Sequence, residues 1–376
     1  MDKIQMVDLH RQYLRLRPEL DLAMQEVMDT CAFINGPQVQ RFASHLSSCL
    51  DVPYVIPCGN GTDALQIALM ALDLKPGDEV IVPAFTYVAA AEVVSLLGLI
   101  PVWVDVDEKT FNINPWMIES AISPKTRAIV VVHLFGQCCD MEKIRQIAEQ
   151  NHLYVVEDNA QSLGAEVLFS DGTRRKAGTI AHIGTTSFFP SKPLACYGDG
   201  GAVMTSDDRL AERIRMIANH GQLQKYHHKI IGCNSRLDTL QAAVLDVKLP
   251  HLEEFTVARQ QVAKRYDEAF DQDSRWQIPC KAPYSTHVYH QYTLQIADGK
   301  RDDLQQYLKE KGIPSMVYYP LPLHKQAAFY GFSRIGSVLS VSEKLVQSVL
   351  SLPIHTEMTD EEVDYIIETV RNYGKK

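Results

Sequence analysis

The feature that most constrains the fold is an alternation of short apolar runs with helical patterns between about residues 50 and 205. The apolar runs are PYVIPC, DEVIVP, PVWVDVD, AIVVVHLF and YVVEDNA, and helical stretches such as TDALQIALMAL and FTYVAAAEVVSLLG lie between them. Strands that are buried on both faces appear in a sequence as continuous apolar runs. The alternation therefore predicts an α/β fold, in which helices cover both faces of a mostly parallel sheet.

The pattern changes after Asp207. DDRLAERIRMIANHG predicts an amphipathic helix, and the long helical stretch that follows from SRLDTLQAA is expected to break near Pro250. Beyond it, the predicted short strands YTLQIAD and SMVYY are mixed with helices. We therefore predict a large domain at residues 1–250, with a helical segment at its start, and a small α+β domain at residues 251–376.

Composition bears on partners and location. The formal net charge is −9 and no long basic run occurs, which disfavours nucleic acid and membranes as partners. The first residues, MDKIQMVDLHRQYLRL, lack the apolar core of a signal peptide, and no apolar run approaches the roughly 18–20 residues that span a bilayer. The eight cysteines include no CxxC pair. We therefore expect a cytoplasmic protein without disulfides and without a metal site.

Ligands on sheets of this kind bind at the carboxyl ends of strands. The turn Cys58-Gly59-Asn60-Gly61-Thr62-Asp63 lies between a predicted strand and a predicted helix. Its glycines allow a ligand to approach the backbone, Thr62 offers a hydroxyl, and the helix start offers free N–H groups. These features suit a phosphate, although a plain glycine turn with Thr62 or Asp63 as the helix cap explains the turn equally well.

Two further residues follow predicted strands. Asp158 ends the run VVED, where a carboxylate is costly to bury unless it meets a cation such as a protonated pyridine nitrogen; a helix cap or a metal ligand is the alternative. Lys192 lies in TSFFPSKPL among apolar and aromatic residues. It is either an ordinary loop lysine or a lysine that forms a Schiff base. A phosphate turn, a strand-end aspartate and then this lysine is the order expected for pyridoxal phosphate (PLP).

At these residues the chain resembles the DegT/StrS family of PLP-dependent sugar aminotransferases. The matching stretches extend over essentially the whole chain and include GNGTDALQIAL, PAFTYVAAAE, VEDNAQSLGA, TSFFPSKPLACYGDGGA and NSRLDTLQAA. The resemblance implies an aspartate-aminotransferase-like fold (fold type I) and a homodimer whose sites are shared across the interface. It also implies that Lys192 carries the cofactor and moves protons, and that Asp158 pairs with the pyridinium nitrogen.

The resemblance gives the remaining cofactor contacts to Gly61, Thr62 and Ser187 at the phosphate, to Gln161 near the ring and its phenolic oxygen, and to Tyr87 on the ring face. Without the resemblance, Tyr87 would equally be a core aromatic on the predicted FTYVAAAEVV helix.

Other residues are implied in binding the substrate or in completing the neighbouring subunit's site. Asn234 is expected to reach the phosphate in the neighbouring subunit. Arg236 is a candidate clamp for a carboxylate or phosphate of the substrate, with a salt bridge at a helix start as the alternative. Tyr318 and Tyr319 are expected to contribute hydroxyl groups to the sugar site.

Within the family, the chain most resembles the branch that aminates C3 of UDP-2-acetamido-2-deoxy-3-oxo-glucuronate for the O-antigen of lipopolysaccharide, with glutamate as amino donor in a ping-pong reaction. It departs from that branch at Tyr318-Tyr319-Pro320, where the branch has His-Tyr-Pro. The alternatives are a 4-keto-6-deoxy nucleotide-sugar aminotransferase and a regulatory member of the family. A sugar dehydratase is disfavoured because such relatives replace the lysine with histidine, and a nucleotide-binding oxidoreductase is disfavoured by the lack of GxGxxG after the first strand.

Overall fold

A computed structural model describes residues 3–297 and 299–374. The helices are α1 (Leu9–Thr30), α2 (Pro37–Leu50), α3 (Gly61–Ala71), α4 (Ala89–Leu96), α5 (Pro115–Ala121), α6 (Met141–Gln150), α7 (Asp208–Ala218), α8 (Thr239–Lys248), α9 (Leu252–Phe270), α10 (Arg301–Glu310), α11 (Ser340–Ser348) and α12 (Asp360–Asn372). Within these described ranges, none of the helices is both long and apolar enough to cross a membrane.

Among the residues that the structure describes, fifteen strands form one large sheet and three small ones. They are β1 (Tyr54–Cys58), β2 (Glu79–Pro83), β3 (Ile100–Val104), β4 (Thr126–Val132), β5 (Tyr154–Asp158), β6 (Glu166–Leu168), β7 (Arg174–Lys176), β8 (Ile183–Ser187), β9 (Gly201–Thr205), β10 (Gln222–Gln224), β11 (His227–His228), β12 (Trp276–Gln277), β13 (Tyr292–Ile296), β14 (Arg334–Ile335) and β15 (Val349–Leu352). The large sheet has eight strands in the order β1-β9-β8-β5-β4-β2-β3-β14.

The large sheet is mostly parallel. Strand β9 runs antiparallel to both of its neighbours, β1 and β8, whereas the other neighbouring strands pair in parallel. Because β1 and β8 are both antiparallel to β9, they point in the same direction as each other and as β5. The carboxyl ends of these three strands therefore lie at one edge of the sheet.

Helices cover both faces of the large sheet, and the alternation of side chains along β4 shows why its sequence is continuously apolar. Ile129 and Val131 pack into a core with α5 and α6. Ala128 and Val130 point to the opposite face, into a core with α3, α4 and α7. Successive strand residues face opposite sides of a sheet, so a strand covered on both sides needs apolar residues throughout. The predicted α/β class with a mostly parallel sheet is confirmed.

A smaller core lies in the last third of the chain. Apolar side chains of α9, α10 and α12 pack there against the three-stranded sheet β12-β13-β15. Strand β14, in contrast, returns to the edge of the large sheet beside β3. Arg334 of β14 forms a two-point ion pair with Glu79, at 3.0 Å from Nε to Oε1 and 2.8 Å from Nη2 to Oε2. The division into domains at residue 250 stays a prediction.

Two local features of the second half agree with the sequence. Helix α8 ends at Lys248, a 3₁₀ turn spans Leu249–His251, and α9 begins at Leu252, so the chain breaks near Pro250 as predicted. Asp207 caps α7, because its Oδ1 accepts hydrogen bonds from the N–H groups of Arg209 and Leu210 at 2.8 and 2.9 Å.

Two predicted elements are confirmed only in part. Helix α4 begins only at Ala89, so the FTY residues before it lie in a loop. The Ala84 N–H donates to the Val104 carbonyl and the Ala84 carbonyl accepts from Leu323, which ties this backbone to neighbouring segments. The predicted strand SMVYY is reduced to a single bridge between Met316 and Ser351, after which the chain leaves the small sheet.

Candidate active site

The register of β9 brings the predicted motifs together at one edge of the sheet. Gly201 pairs with Cys58, the last residue of β1, and with Ser187, the last residue of β8. Asp158, the last residue of β5, pairs with Thr185 of β8. The GNGTDA turn, Asp158 and Ser187 therefore lie side by side, as the strand-end rule predicts.

The turn between β1 and α3 packs so closely against the end of β8 that only glycine fits at position 61. A Cβ atom on Gly61 would lie 2.6 Å from the Cβ of Ser187, closer than real Cβ atoms come. Asn60 is the helix cap, since its Oδ1 accepts a hydrogen bond from the Asp63 N–H at 2.8 Å; neither Thr62 nor Asp63 has that role. The N–H groups of the first turn of α3, together with the Thr62 and Ser187 hydroxyls, form a cradle of phosphate-binding type.

Asp158 is 7% exposed and its Oδ1 accepts the Ala160 N–H at 3.0 Å. Burial raises the pKa of this carboxyl group, while the Ala160 N–H and the charge of Lys192 act in the opposite direction. Within residues 3–297 and 299–374, no side chain forms an ion pair with Asp158. A cationic group of a ligand would therefore stabilise the ionised form of this buried carboxylate.

Lys192 is held by the backbone of the loop between β8 and β9. Its N–H donates to the Phe189 carbonyl at 2.9 Å, and the Cys196 N–H donates to the Phe188 carbonyl at 2.9 Å. Burial lowers the pKa of the Lys192 amine to about 8, against the opposing effect of Asp158. Near pH 8 the amine is therefore divided between its charged and neutral forms, and the neutral form can act as a nucleophile and a base.

Gln161 connects two parts of the site. Its Oε1 accepts the Phe135 N–H at 2.8 Å, and its Nε2 donates to the Tyr319 hydroxyl oxygen at 3.2 Å. Phe135 has a φ of 59°, in the left-handed region, which is unusual for an aromatic residue. The Gln161 side chain therefore fixes a strained turn after β4 and, at the same time, the position of Tyr319.

Three tyrosines form an aromatic wall. The ring centroids of Tyr87 and Tyr319 are 6.2 Å apart, and those of Tyr318 and Tyr319 are 5.9 Å apart. Tyr87 is 55% exposed, so it is not the core aromatic that the sequence left open as an alternative. Burial raises the pKa of both Tyr318 and Tyr319, which keeps their hydroxyl groups protonated as hydrogen-bond donors.

These groups enclose one cavity of about 490 Å³. The predicted site residues that line it are Gly61, Thr62, Tyr87, Asp158, Gln161, Ser187, Lys192, Tyr318 and Tyr319. Asn234 and Arg236 are not among its lining residues. Asn234 is exposed, Arg236 is half-buried, and in the described part of the chain the Arg236 side chain has no ion pair or hydrogen bond.

Ser235, between those two residues, links their segment to the phosphate cradle. Its hydroxyl donates to Asp63 Oδ2 at 2.7 Å and accepts the Gly59 N–H at 2.9 Å. Neither the sequence pattern nor the resemblance singled out Ser235. Sequence reasoning also missed several residues that line the cavity: Asn60, Phe135, Ser191, Asp199, His290 and Gln291. Asn60 lies in the matching stretch GNGTDALQIAL, and Ser191 and Asp199 lie in TSFFPSKPLACYGDGGA, whereas His290 and Gln291 lie outside these stretches.

The site fits PLP on three observations. Gly61 lies directly against Ser187, which brings the start of α3 and the Ser187 hydroxyl together at the edge of the cavity. Asp158 is a buried carboxylate that forms no ion pair with any side chain the structure describes, which suits a protonated ring nitrogen. The Lys192 amine has a lowered pKa and no hydrogen-bond partner in the part of the chain that the structure describes.

Comparisons with known proteins agree with this chemistry. A profile of the DegT/DnrJ/EryC1/StrS aminotransferase family matches residues 15–371. The UDP-2-acetamido-2-deoxy-3-oxo-D-glucuronate aminotransferase of Pseudomonas aeruginosa is 43% identical over 98% of this chain and 100% of its own. A pleiotropic regulatory protein of Geobacillus stearothermophilus is 42% identical over 98% of each chain. The crystal structure of NtdA from Bacillus subtilis with bound cofactor PMP is 33% identical, with a TM-score of 0.90 over 99% of this chain and 85% of that one.

Proposed function

The chain belongs to the DegT/DnrJ/EryC1/StrS aminotransferase family, and from that premise we propose that it transfers the amino group of L-glutamate to C3 of UDP-2-acetamido-2-deoxy-3-oxo-glucuronate. Membership confirms the predicted PLP-dependent sugar aminotransferase, its cofactor and its fold type. Nucleotide-linked keto sugars are supported as the substrate class. The specific sugar is supported by the name of the P. aeruginosa relative. A role in lipopolysaccharide synthesis is part of the proposal and rests on the resemblance alone.

The observation that carries the proposal is that Lys192, a partly neutral amine, lines the same cavity as the buried carboxylate of Asp158. Bound PLP supplies an aldehyde carbon that accepts an amino group and a ring that takes up electrons from the reacting carbon. The chain's own residues have to hold this group, protonate its ring nitrogen and move one proton.

Lys192 is the residue proposed to hold the cofactor and to move that proton. Because its pKa is about 8, Nζ can take a proton from the reacting carbon and return it under the same conditions. Asp158 is proposed to keep the ring nitrogen protonated, since a buried carboxylate without another cation favours the charged form of a base beside it. Gly61, Thr62 and Ser187 are proposed to hold the phosphate.

The remaining cofactor contacts are proposed for two residues. Gln161 has one hydrogen bond at each end of its amide, which fixes its orientation toward the space beside Asp158 and Lys192 in the shared cavity. Tyr87 stands on the loop after β2 with its ring in that cavity, and we propose that it stacks on the cofactor ring.

The sugar is proposed to contact Tyr318 and Tyr319, whose protonated hydroxyl groups border the cavity. Asn234 and Arg236 lie outside the cavity of their own chain, although Ser235 ties their segment to its rim. This placement supports a homodimer in which each subunit presents Asn234 and Arg236 to the other. We propose such a dimer, located in the cytoplasm, with Arg236 binding a carboxylate or phosphate of the substrate.

A regulatory role is the second candidate, because a relative of 42% identity is a regulatory protein by name. A regulator has no need for a proton-carrying amine beside a buried carboxylate. Transamination is therefore favoured, and the two functions are separated by the response of the visible absorption band of the loaded protein to L-glutamate. An aminotransferase loses the band of its lysine-bound cofactor, whereas a protein that only binds the cofactor keeps it.

The substrate is tested with a panel of nucleotide-linked keto sugars and L-glutamate as donor, with products identified by mass spectrometry. We expect amination of the UDP-linked 3-keto uronate, with at least about tenfold lower kcat/KM for 4-keto-6-deoxy sugars on dTDP or GDP. Amination of only the 4-keto sugars would reject the proposed substrate and leave the family assignment intact. No amination together with an unchanged absorption band would favour the regulatory role.

A further inference from the structure

His290 is a histidine of the active-site cavity to which the proposed reaction gives no task. It is 5% exposed and borders the same cavity as Lys192. Its Nδ1 is fully buried without a hydrogen-bond partner, and within residues 3–297 and 299–374 its Nε2 has no partner either. Polar atoms in a protein interior are nearly always hydrogen-bonded. Nδ1 is closed to the cavity, so a partner that comes with the ligand would reach Nε2.

The backbone around His290 packs closely against the turn at Phe135 and Gly136, beside the cavity. Gly136 has a φ of 110°, and a Cβ atom there would lie 2.8 Å from the backbone nitrogens of both Tyr289 and His290. The Val288 N–H donates to the Gly136 carbonyl at 2.8 Å, and the Gln291 N–H donates to the Phe135 carbonyl at 3.2 Å. The segment therefore lies directly on the strained turn that Gln161 fixes.

A buried arginine holds this segment from the other side. Arg259 Nη1 donates to the Ile354 carbonyl at 2.8 Å and to the Tyr289 carbonyl at 3.4 Å. Tyr289 itself has a φ of 50°, so the chain turns in the left-handed region immediately before His290. Strained backbone that several contacts hold in place is concentrated at functional sites, and here it directs one side chain to the cavity.

The charges around the imidazole determine what it can bind. Burial, followed by the positive charges of Lys192 and Arg259, holds the pKa of His290 well below its usual range, so the ring is neutral and has one N–H to donate. The carboxylates of Asp158 and Asp199 and the hydroxyl groups of Tyr318 and Tyr319 line the same cavity. Lys192 is the only cationic side chain among the described residues that line it, and the cofactor uses that amine.

An amino donor brings a carboxylate into this space. In an amino acid such as glutamate, the carboxylate carbon is two bonds from the amine, so it has to lie close to the reacting position at Lys192. Asp158 and Asp199 repel it, and it needs a hydrogen-bond donor within the cavity. Arg236 is not available in the cavity of its own chain.

We propose that His290 binds the α-carboxylate of the amino donor through its ring N–H, and so positions the donor carbon against Lys192. The proposal rests on the aminotransferase function proposed above and adds the binding residue for the donor. The imidazole acts as a hydrogen-bond donor without changing its protonation state, and the segment fixed by Gly136 and Arg259 keeps it in place.

The test uses the cofactor-loaded protein, with variants His290→Leu and His290→Gln. The leucine removes the N–H, whereas the glutamine keeps an N–H near the position of Nε2. The matched control is His287→Leu, which removes a neighbouring buried imidazole that accepts the Tyr289 N–H at 3.0 Å and does not border the cavity. Melting temperatures of all three variants show whether each one folds.

The first readout is the dissociation constant of glutarate, a dicarboxylate without an amine, measured by calorimetry. A hydrogen bond to a charged group corresponds to roughly a 10- to 100-fold change in affinity. We expect His290→Leu to raise the dissociation constant of glutarate by at least about tenfold. His290→Gln should recover part of the lost affinity, and His287→Leu should bind glutarate as tightly as the wild type does.

The second readout is the half-reaction with L-glutamate and with its α-amide, followed as loss of the visible band. The wild type should strongly prefer the α-carboxylate over the α-amide, and His290→Leu should lose most of that preference while kcat/KM for the keto sugar stays unchanged. The proposal would be overturned if a folded His290→Leu protein bound glutarate as tightly as the wild type and kept the wild-type preference for the α-carboxylate. If the wild type itself does not transaminate, the proposed function fails instead.

Discussion

The side-chain amide of Gln161 donates a hydrogen bond to the hydroxyl oxygen of Tyr319 over 3.2 Å. At its other end it accepts the Phe135 N–H at 2.8 Å. One side chain thus joins the loop after β5, the turn after β4 and a segment from the last third of the chain. The two halves of the cavity are coupled through it, and the coupling is measurable.

Gln161→Leu should lower the free energy of unfolding of the cofactor-free protein by about 1–3 kcal/mol, because the Phe135 N–H is left buried and unpaired. Tyr319→Phe should cost about 1 kcal/mol. In the double variant, the Tyr319→Phe change should cost less than it does alone, because its partner is already absent. Chemical denaturation of the four proteins checks this, and strictly additive losses would show that the bond does not couple the two sides.

Asp158→Asn should lower kcat on the order of 10²–10³-fold, since it removes a charge placed where positive charge has to be stabilised. Burial raises the pKa of this carboxyl group, so its ionised form destabilises the folded chain at neutral pH. The cofactor-free Asp158→Asn protein should therefore melt at the same temperature as the wild type or higher. Asp199→Asn, a carboxylate change in the same cavity, is the control and should lose far less activity.

Covalent attachment of PLP to the cofactor-free protein should follow the neutral fraction of the Lys192 amine. Its rate should rise with pH to a midpoint of about 8, the lowered pKa of Lys192, and not of 10.5 as for an ordinary lysine. Asp158 raises the pKa of Lys192, so Asp158→Asn should move the midpoint to lower pH. Stopped-flow absorbance across the pH range checks both shifts, and a midpoint near the ordinary lysine value would contradict the buried environment.

Gly61→Ala should weaken cofactor binding by at least about tenfold, because the new Cβ clashes with Ser187 and forces the Ser187 hydroxyl and the start of α3 apart. Adding Ser187→Gly removes the clash and should restore the melting temperature of the cofactor-free protein. It should not restore affinity, because the Ser187 hydroxyl is lost as well. Fluorescence titration with PLP measures the affinities, and an unchanged dissociation constant in Gly61→Ala would argue against a phosphate at this turn.

Much of the site was predictable because it depends on strand direction. Once the apolar runs are identified as parallel strands, the residues that follow them lie at one edge, and Asp158, Ser187 and the GNGTDA turn meet there. The continuous apolar character of β4 likewise follows from cores on both of its faces. Both features depend on local sequence pattern and on strand pairing, so they can be predicted from a single sequence.

Other parts depend on contacts between distant segments. The left-handed φ of Phe135 is compatible with its neighbours only because Gln161 and Gln291 occupy its backbone groups. His290 enters the cavity because Gly136 and Arg259 hold its segment from two sides. No local pattern around His290 encodes that arrangement, and the roles given to Asn234 and Arg236 stay predictions that concern a second subunit.

The central claim is that Lys192 carries the cofactor, and borohydride reduction of the loaded protein followed by peptide mapping tests it most directly. Reduction makes the link between PLP and its lysine permanent, and mass spectrometry then identifies the modified residue. We expect the label on Lys192, with no label and no turnover in Lys192→Ala. A label on another lysine, such as the buried Lys248, or normal turnover in Lys192→Ala, would contradict it.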